Sequence, residues 1–93
     1  MDAKKLGLFI AQLRKEQNMT QADLARKLQV TDKAISKWER GLGLPDINSI
    51  EPLAEALGVT VLEIMRSERI PVEEVTPESA SEVITDAFDM VNA

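Results

Sequence analysis

Thr20-Gln21-Ala22-Asp23-Leu24-Ala25-Arg26-Lys27-Leu28-Gln29-Val30-Thr31-Asp32-Lys33-Ala34-Ile35-Ser36-Lys37-Trp38-Glu39-Arg40-Gly41 is the stretch that decides how this chain is read. Thr20 and Thr31 each stand where a short helix begins, because a threonine oxygen can accept from an amide that lacks a partner in the first turn. Asp23 adds a negative charge at the positive end of the first helix dipole. That helix buries Leu24, Ala25 and Leu28 and ends near Gln29. The second runs to about Arg40 and turns Ala34, Ile35 and Trp38 inward. Only a few residues around Gln29-Val30 join the two, so they pack at a steep angle and the second presents its polar side outward.

The outward side carries Asp32, Lys33, Ser36 and Lys37, at i, i+1, i+4 and i+5. It is short, polar and rich in donors, and a single helix of this width fits the major groove of B-DNA. Two features oppose an isolated helix: Lys33 lies in the first turn, and Lys33 and Lys37 form a like-charge pair. Each costs a few tenths of a kcal/mol. Phosphates and guanine acceptors would turn both penalties into gains. On these residues alone, a solvated helix face with Asp32 screening Lys33 reads equally well.

Upstream, Leu6, Phe9, Ile10 and Leu13 form the stripe of an amphipathic helix over about residues 3–17, with Gly7 a weak point and Asn18 a stop. Downstream, Gly41 and Gly43 end the third helix and open a loop through Leu44-Pro45-Asp46. A fourth helix is expected over residues 50–57, capped by Ser49, with Pro52 in its first turn where a missing N–H is harmless. Gly58 stops it. Thr60-Val61-Leu62-Glu63 has the pattern of a capping box and opens a fifth helix that sends Ile64 and Met65 inward. The composition then changes, and residues 67–76 read as a linker. Thr76-Pro77-Glu78 starts a further helix over residues 77–93, with an apolar stripe of Ala80, Val83, Ile84, Ala87, Phe88 and Val91.

The whole-chain arithmetic agrees. Ninety-three residues make one domain with a short appendage, at roughly 100–200 residues per domain. A hydrophobic fraction of 44% with only 3% aromatic suits a small helical body. The absence of Cys and His excludes disulfides, thiolate zinc sites, a cysteine nucleophile and an imidazole base. With no glycine-rich phosphate loop and carboxylates scattered over helix surfaces, no catalytic constellation assembles, and neither enzyme activity nor a cofactor or metal is expected. The longest apolar run, residues 6–11, is too short to span a bilayer, and no signal peptide precedes it. A cytoplasmic location without membrane contact is expected. The net charge of −5 hides a segregation: residues 1–40 hold nine Lys/Arg against five acids, residues 41–66 one against four, and residues 67–93 one against seven. A basic front half fits an anionic partner.

Leu13-Arg14-Lys15-Glu16, Met19-Thr20-Gln21-Ala22-Asp23-Leu24-Ala25, Ile35-Ser36-Lys37-Trp38-Glu39-Arg40-Gly41, Leu44-Pro45-Asp46 and Leu57-Gly58-Val59-Thr60 together closely resemble the lambda repressor/Cro-like (Xre-type) helix-turn-helix family, in register over about residues 4–66. The resemblance implies an all-α, five-helix, lambda-repressor-like domain over residues 1–66 that binds double-stranded DNA and reads bases with its third helix. Carried over residue by residue, Gln21 and Arg40 would contact phosphates, and Asp32, Lys33, Ser36 and Lys37 would line the groove. Lysine would donate to guanine and Asp32 would accept from cytosine. Arg14 and Glu39 match a buried ion pair that orients the reading helix. Leu42 departs from the family's frequent Lys or Arg, which removes one phosphate contact or offers Leu42 to a protein surface. Such domains usually act as dimers on two half-sites. Val83, Ile84, Ala87, Phe88 and Val91 are the dimerisation candidates, with docking on the chain's own body as the alternative. The implied function is a sequence-specific transcriptional regulator, a repressor in the first instance. A protein-interaction module such as an antitoxin or anti-regulator is the alternative.

Overall fold

The structure is a computed structural model that describes residues 1–71. The helix expected over residues 77–93, its dimerisation candidates and the second half of the expected linker lie outside the described residues. Within them, five helices follow one another: α1 (Ala3–Glu16), α2 (Gln21–Leu28), α3 (Asp32–Glu39), α4 (Ile47–Leu57) and α5 (Val61–Arg66).

Every start is fixed by a side-chain acceptor. Asp2 accepts from the amides of Lys4 and Lys5, Thr20 from Asp23, Thr31 from Ala34, Asp46 from Ser49 and Thr60 from Glu63. At Thr20 and Thr60 the third helical residue answers through its carboxylate, so both are complete capping boxes. The α2–α3 turn is as tight as its few residues require. Gln29 takes a left-handed φ of 57°, and the Val30 N–H reaches back to the Ala25 carbonyl at 3.0 Å.

Two expectations are corrected. The fourth helix begins at Ile47, three residues before the expected start, because Asp46 and not Ser49 is the cap; Ser49 instead donates its N–H to the Asp46 carboxylate at 3.0 Å. Pro52 therefore lies inside the helix. Its missing N–H deprives the Asn48 carbonyl, which is at an exposed position where water can take over. Met65, expected inward, is 54% exposed, and Ile64 alone fills the core place on α5.

The core is one cluster. Leu6, Ile10 and Leu13 of α1 meet Leu24 of α2, Ile35 of α3, Leu53 and Leu57 of α4 and Ile64 of α5, all essentially sealed from solvent. Each such side chain contributes roughly 1.5–3 kcal/mol against the entropy of ordering the chain. α1 contacts α3, α4 and α5, while α2 braces both α3 and α4. Trp38 is 8% exposed and belongs to this cluster, as its spacing from Ala34 and Ile35 predicts. The α1–α3 contact is close: a Cβ on Gly7 would lie 2.3 Å from the Trp38 carbonyl oxygen.

Residues following α5 fold back on the body. Ser67 is buried, Arg69 pairs with Glu16 of α1, and the Ile70 N–H donates to Glu63 at 2.9 Å. Hydrogen bonds from the Thr60 and Ile70 amides hold the Glu63 carboxyl below its ordinary 4.5. A depressed folded-state value stabilises the fold fully above that ordinary value, and the gain is lost as pH falls through the folded value. Thermal melts are expected to show a midpoint that drops once the pH goes below about 4.5, and Glu63→Gln should drop less over the same interval. Equal acid sensitivity of the two proteins would remove Glu63 from the cause.

Candidate nucleic-acid interface

α3 is eight residues long, roughly 12 Å at 1.5 Å per residue. Ile35 and Trp38 anchor it to the core, and Ala34 is half-buried. On the other side Asp32, Lys33 and Lys37 are exposed and Ser36 is half-buried. The four residues expected to line a groove therefore share one face that no other described element covers.

The position of that face is set by a buried polar clamp. Arg14, near the end of α1, donates from Nε to Glu39 Oε2 at 2.6 Å and from a terminal nitrogen to Oε1 at 3.0 Å. Its other terminal nitrogen reaches the Met19 carbonyl at 2.7 Å. The two side chains are only 11% and 7% exposed. Hydrogen bonding to Glu39 raises the Arg14 pKa against the opposing effect of burial, so the guanidinium stays charged. The end of α1, the α1–α2 turn and the end of α3 are thereby tied at one point. The pairing of Arg14 with Glu39 is the one implied by the resemblance.

Gln21 joins the same clamp, which sequence reasoning missed: its Nε2 donates to Glu39 Oε1 at 3.0 Å. Glu39 thus accepts three hydrogen bonds, and Gln21 lies at the junction of the clamp and the start of α2. Nothing in the spacing of residues 21 and 39 announces that contact. Among the described residues no buried side-chain nitrogen or oxygen lacks a partner.

Beyond α3 the chain turns through a left-handed Gly41 with φ of 72°. Gly41 N–H bonds to the Trp38 carbonyl and Leu42 N–H to the Lys37 carbonyl, both at 3.0 Å, which closes the helix end. The turn rests on the start of α1, where a Cβ on Gly41 would lie 3.0 Å from the Lys4 Cα. That contact seats Lys4, which is exposed, against the turn that follows α3. Arg40 is exposed but folds along α3, its Nε donating to the Ser36 carbonyl at 3.2 Å. Leu42 is 59% exposed at the rim. The Lys37 stem passes over Gly43: a Cβ there would lie 3.0 Å from Lys37 Cε.

Chemically, this is a surface that donates hydrogen bonds and attracts anions. Among the described residues no group of three or more Asp/Glu could hold a metal ion, and no described helix is long and apolar enough to cross a membrane.

A helix-turn-helix family profile matches residues 10–64, a span that contains the clamp and the whole of α2 and α3. An HTH-type transcriptional activator of Enterococcus faecalis, BcrR, is 39% identical over 61 residues, covering 66% of this chain and 30% of BcrR. The 26 kDa repressor protein of Escherichia phage HK022 is 55% identical over 40 residues, covering 43% of this chain and 17% of the repressor. The chain therefore spans less than a third of the length of these two relatives. Among solved structures, SinR, described as a master regulator for biofilm formation and crystallised in complex with DNA, superposes with a TM-score of 0.60 at 33% identity, covering 64% of this chain and 97% of that one.

Proposed function

The chain belongs to the lambda repressor/Cro-like (Xre-type) helix-turn-helix family, and from that membership we propose that it regulates transcription by binding a specific duplex sequence with α3 in the major groove. The observation that carries this reading is the exposed face of Asp32, Lys33, Ser36 and Lys37 on a helix whose far end is locked by the buried Arg14–Glu39–Gln21 clamp. A helix that reads bases must be held rigidly, and donors on an unheld helix would discriminate poorly.

In this reading Lys33 and Lys37 donate to guanine O6 and N7, Asp32 accepts from cytosine N4, and Ser36 serves either. Phosphates flank the helix. Gln21 has one amide hydrogen on Glu39, and its second is the one a phosphate takes. Arg40, which lies along α3 in the unbound domain, swings outward to a phosphate. Two copies on adjacent half-sites supply operator symmetry, and occupancy of the site represses transcription.

Selection from random duplexes is expected to enrich an inverted repeat. On the enriched site, Lys33→Ala or Lys37→Ala should weaken binding by about 1–3 kcal/mol and relax preference at one base position. The logarithm of affinity should fall linearly with the logarithm of salt concentration. Failure to enrich any sequence, or affinity indifferent to salt, overturns the proposal. The alternative, an antitoxin-like or anti-regulator module, is separated by competition: a protein bait and not duplex would then displace ligands from the basic face.

A further inference from the structure

Gly43 is the one loop glycine for which the three atoms nearest an added Cβ all belong to a single side chain. Its three nearest atoms there are Cε, Cδ and Nζ of Lys37, at 3.0, 3.7 and 3.7 Å. Gly43 is not among the residues with positive φ, in contrast to Gly41 and Gly58, so the backbone itself does not call for glycine. The Lys37 main chain is held at the same place from the other direction, since its carbonyl accepts from Leu42 N–H at 3.0 Å. A lysine stem has four rotatable bonds and ordinarily keeps much of its freedom at an exposed helix position. Here the bare Cα of Gly43 forms the floor on which that stem lies.

We propose that Gly43 is a positioning residue for Lys37, so that the residue at position 43 sets where the Lys37 ammonium meets the duplex and hence the base preferred there. The inference rests on the reading of α3 as the groove helix and adds a determinant outside that helix. Any side chain at position 43 occupies the floor, and because the obstructed atoms are the far end of a flexible chain, Lys37 gives way and the fold does not. Restricting the stem also lowers the entropy lost when the ammonium is immobilised on DNA.

The test compares the wild type, Gly43→Ala, Lys37→Ala and the double variant by binding to duplexes that vary each base of the selected site. Gly43→Ala is expected to leave the thermal midpoint unchanged and to alter preference by about fivefold or more at the position that Lys37→Ala affects, the lower end of what one base contact contributes. In the Lys37→Ala background it should have no effect. NMR of the unbound protein should show a cross-peak between the Gly43 Hα and Lys37 Hε protons. Gly43→Ser provides a second side chain should the alanine protein be unstable, and the same shift is expected. An unchanged profile in the position-43 variants, an effect that persists without Lys37, or absence of the cross-peak overturns the proposal. If Lys37→Ala itself leaves the profile flat, the assignment of Lys37 to the groove fails and the role of Gly43 fails with it. A flat response to Gly43→Ala alone leaves that assignment standing.

Discussion

Replacing Arg14 by alanine is expected to remove about 3–5 kcal/mol of folding stability, the range for deleting one side of a buried ion pair. For a domain of this size roughly 4–8 °C is lost per kcal/mol, so thermal unfolding should begin at least about 12 °C earlier. The reason lies less in the attraction that disappears than in what remains. Glu39 would be left without its cation in a position where its side chain is 7% exposed, with Gln21 as its last donor. The Met19 carbonyl would lose its partner in the same step. Arg14→Lys is expected to recover little, since one ammonium cannot reproduce the fork that reaches both Glu39 oxygens and Met19. Replacing the pair together, as Arg14→Met with Glu39→Leu, should cost much less than Arg14→Ala, because no charge is stranded. DNA binding of that double variant should nevertheless be weakened, since Gln21 and the end of α3 lose their common anchor. An Arg14→Ala protein that melts within a degree or two of the wild type would place the pair among solvent-screened surface contacts, and the clamp would no longer explain how α3 is held.

What could be read in advance depended on how local its cause was. Thr20 and Thr31 act on amides three residues away, and both cap as their positions predict. Apolar spacing likewise places Ile35 and Trp38 inside and Lys33 and Lys37 outside. The Arg14–Glu39 contact joins residues 25 apart in sequence, and only the family pattern pointed to it. Gln21 had no local signal for its bond to Glu39, so one side chain shared between clamp and surface read as a surface residue. On α4 Ser49 and Pro52 suggest a late start, whereas the folded chain caps at Asp46, because an exposed proline is tolerated inside the helix. Met65 points outward against its expected place because α5 has only six residues, too few for a periodicity to show. Gly43 reads as loop punctuation in the sequence, and only the fold lays a lysine stem across it.

Gly7 carries the second large effect, and its sign opposes the local rule. In an exposed helix interior, glycine to alanine gains about 0.5–1 kcal/mol, because alanine has less backbone freedom to lose. At position 7 of α1 the opposite is expected. An added Cβ would stand 2.3 Å from the Trp38 carbonyl oxygen and 2.7 Å from that of Glu39, and both are backbone atoms near the end of α3. The Trp38 oxygen cannot rotate away, since it already accepts from Gly41 N–H. Relief therefore requires α1 and α3 to separate by about 1 Å, and overpacking of this kind costs about 1–3 kcal/mol, occasionally more. The displacement acts on both sides of Gly7: Leu6 and Ile10 are drawn from their places beside Ile35 and Trp38, and one turn further on Arg14 is pulled from Glu39. Gly7→Ala should accordingly unfold at lower denaturant than the wild type, with an unchanged m-value. Its affinity for the selected operator should fall by more than the lost stability explains under conditions where it is fully folded, because α3 is then presented at a different angle. A Gly7→Ala protein as stable as the wild type or more so would show that helix propensity outweighs the contact, and that α1 and α3 do not approach as closely as described.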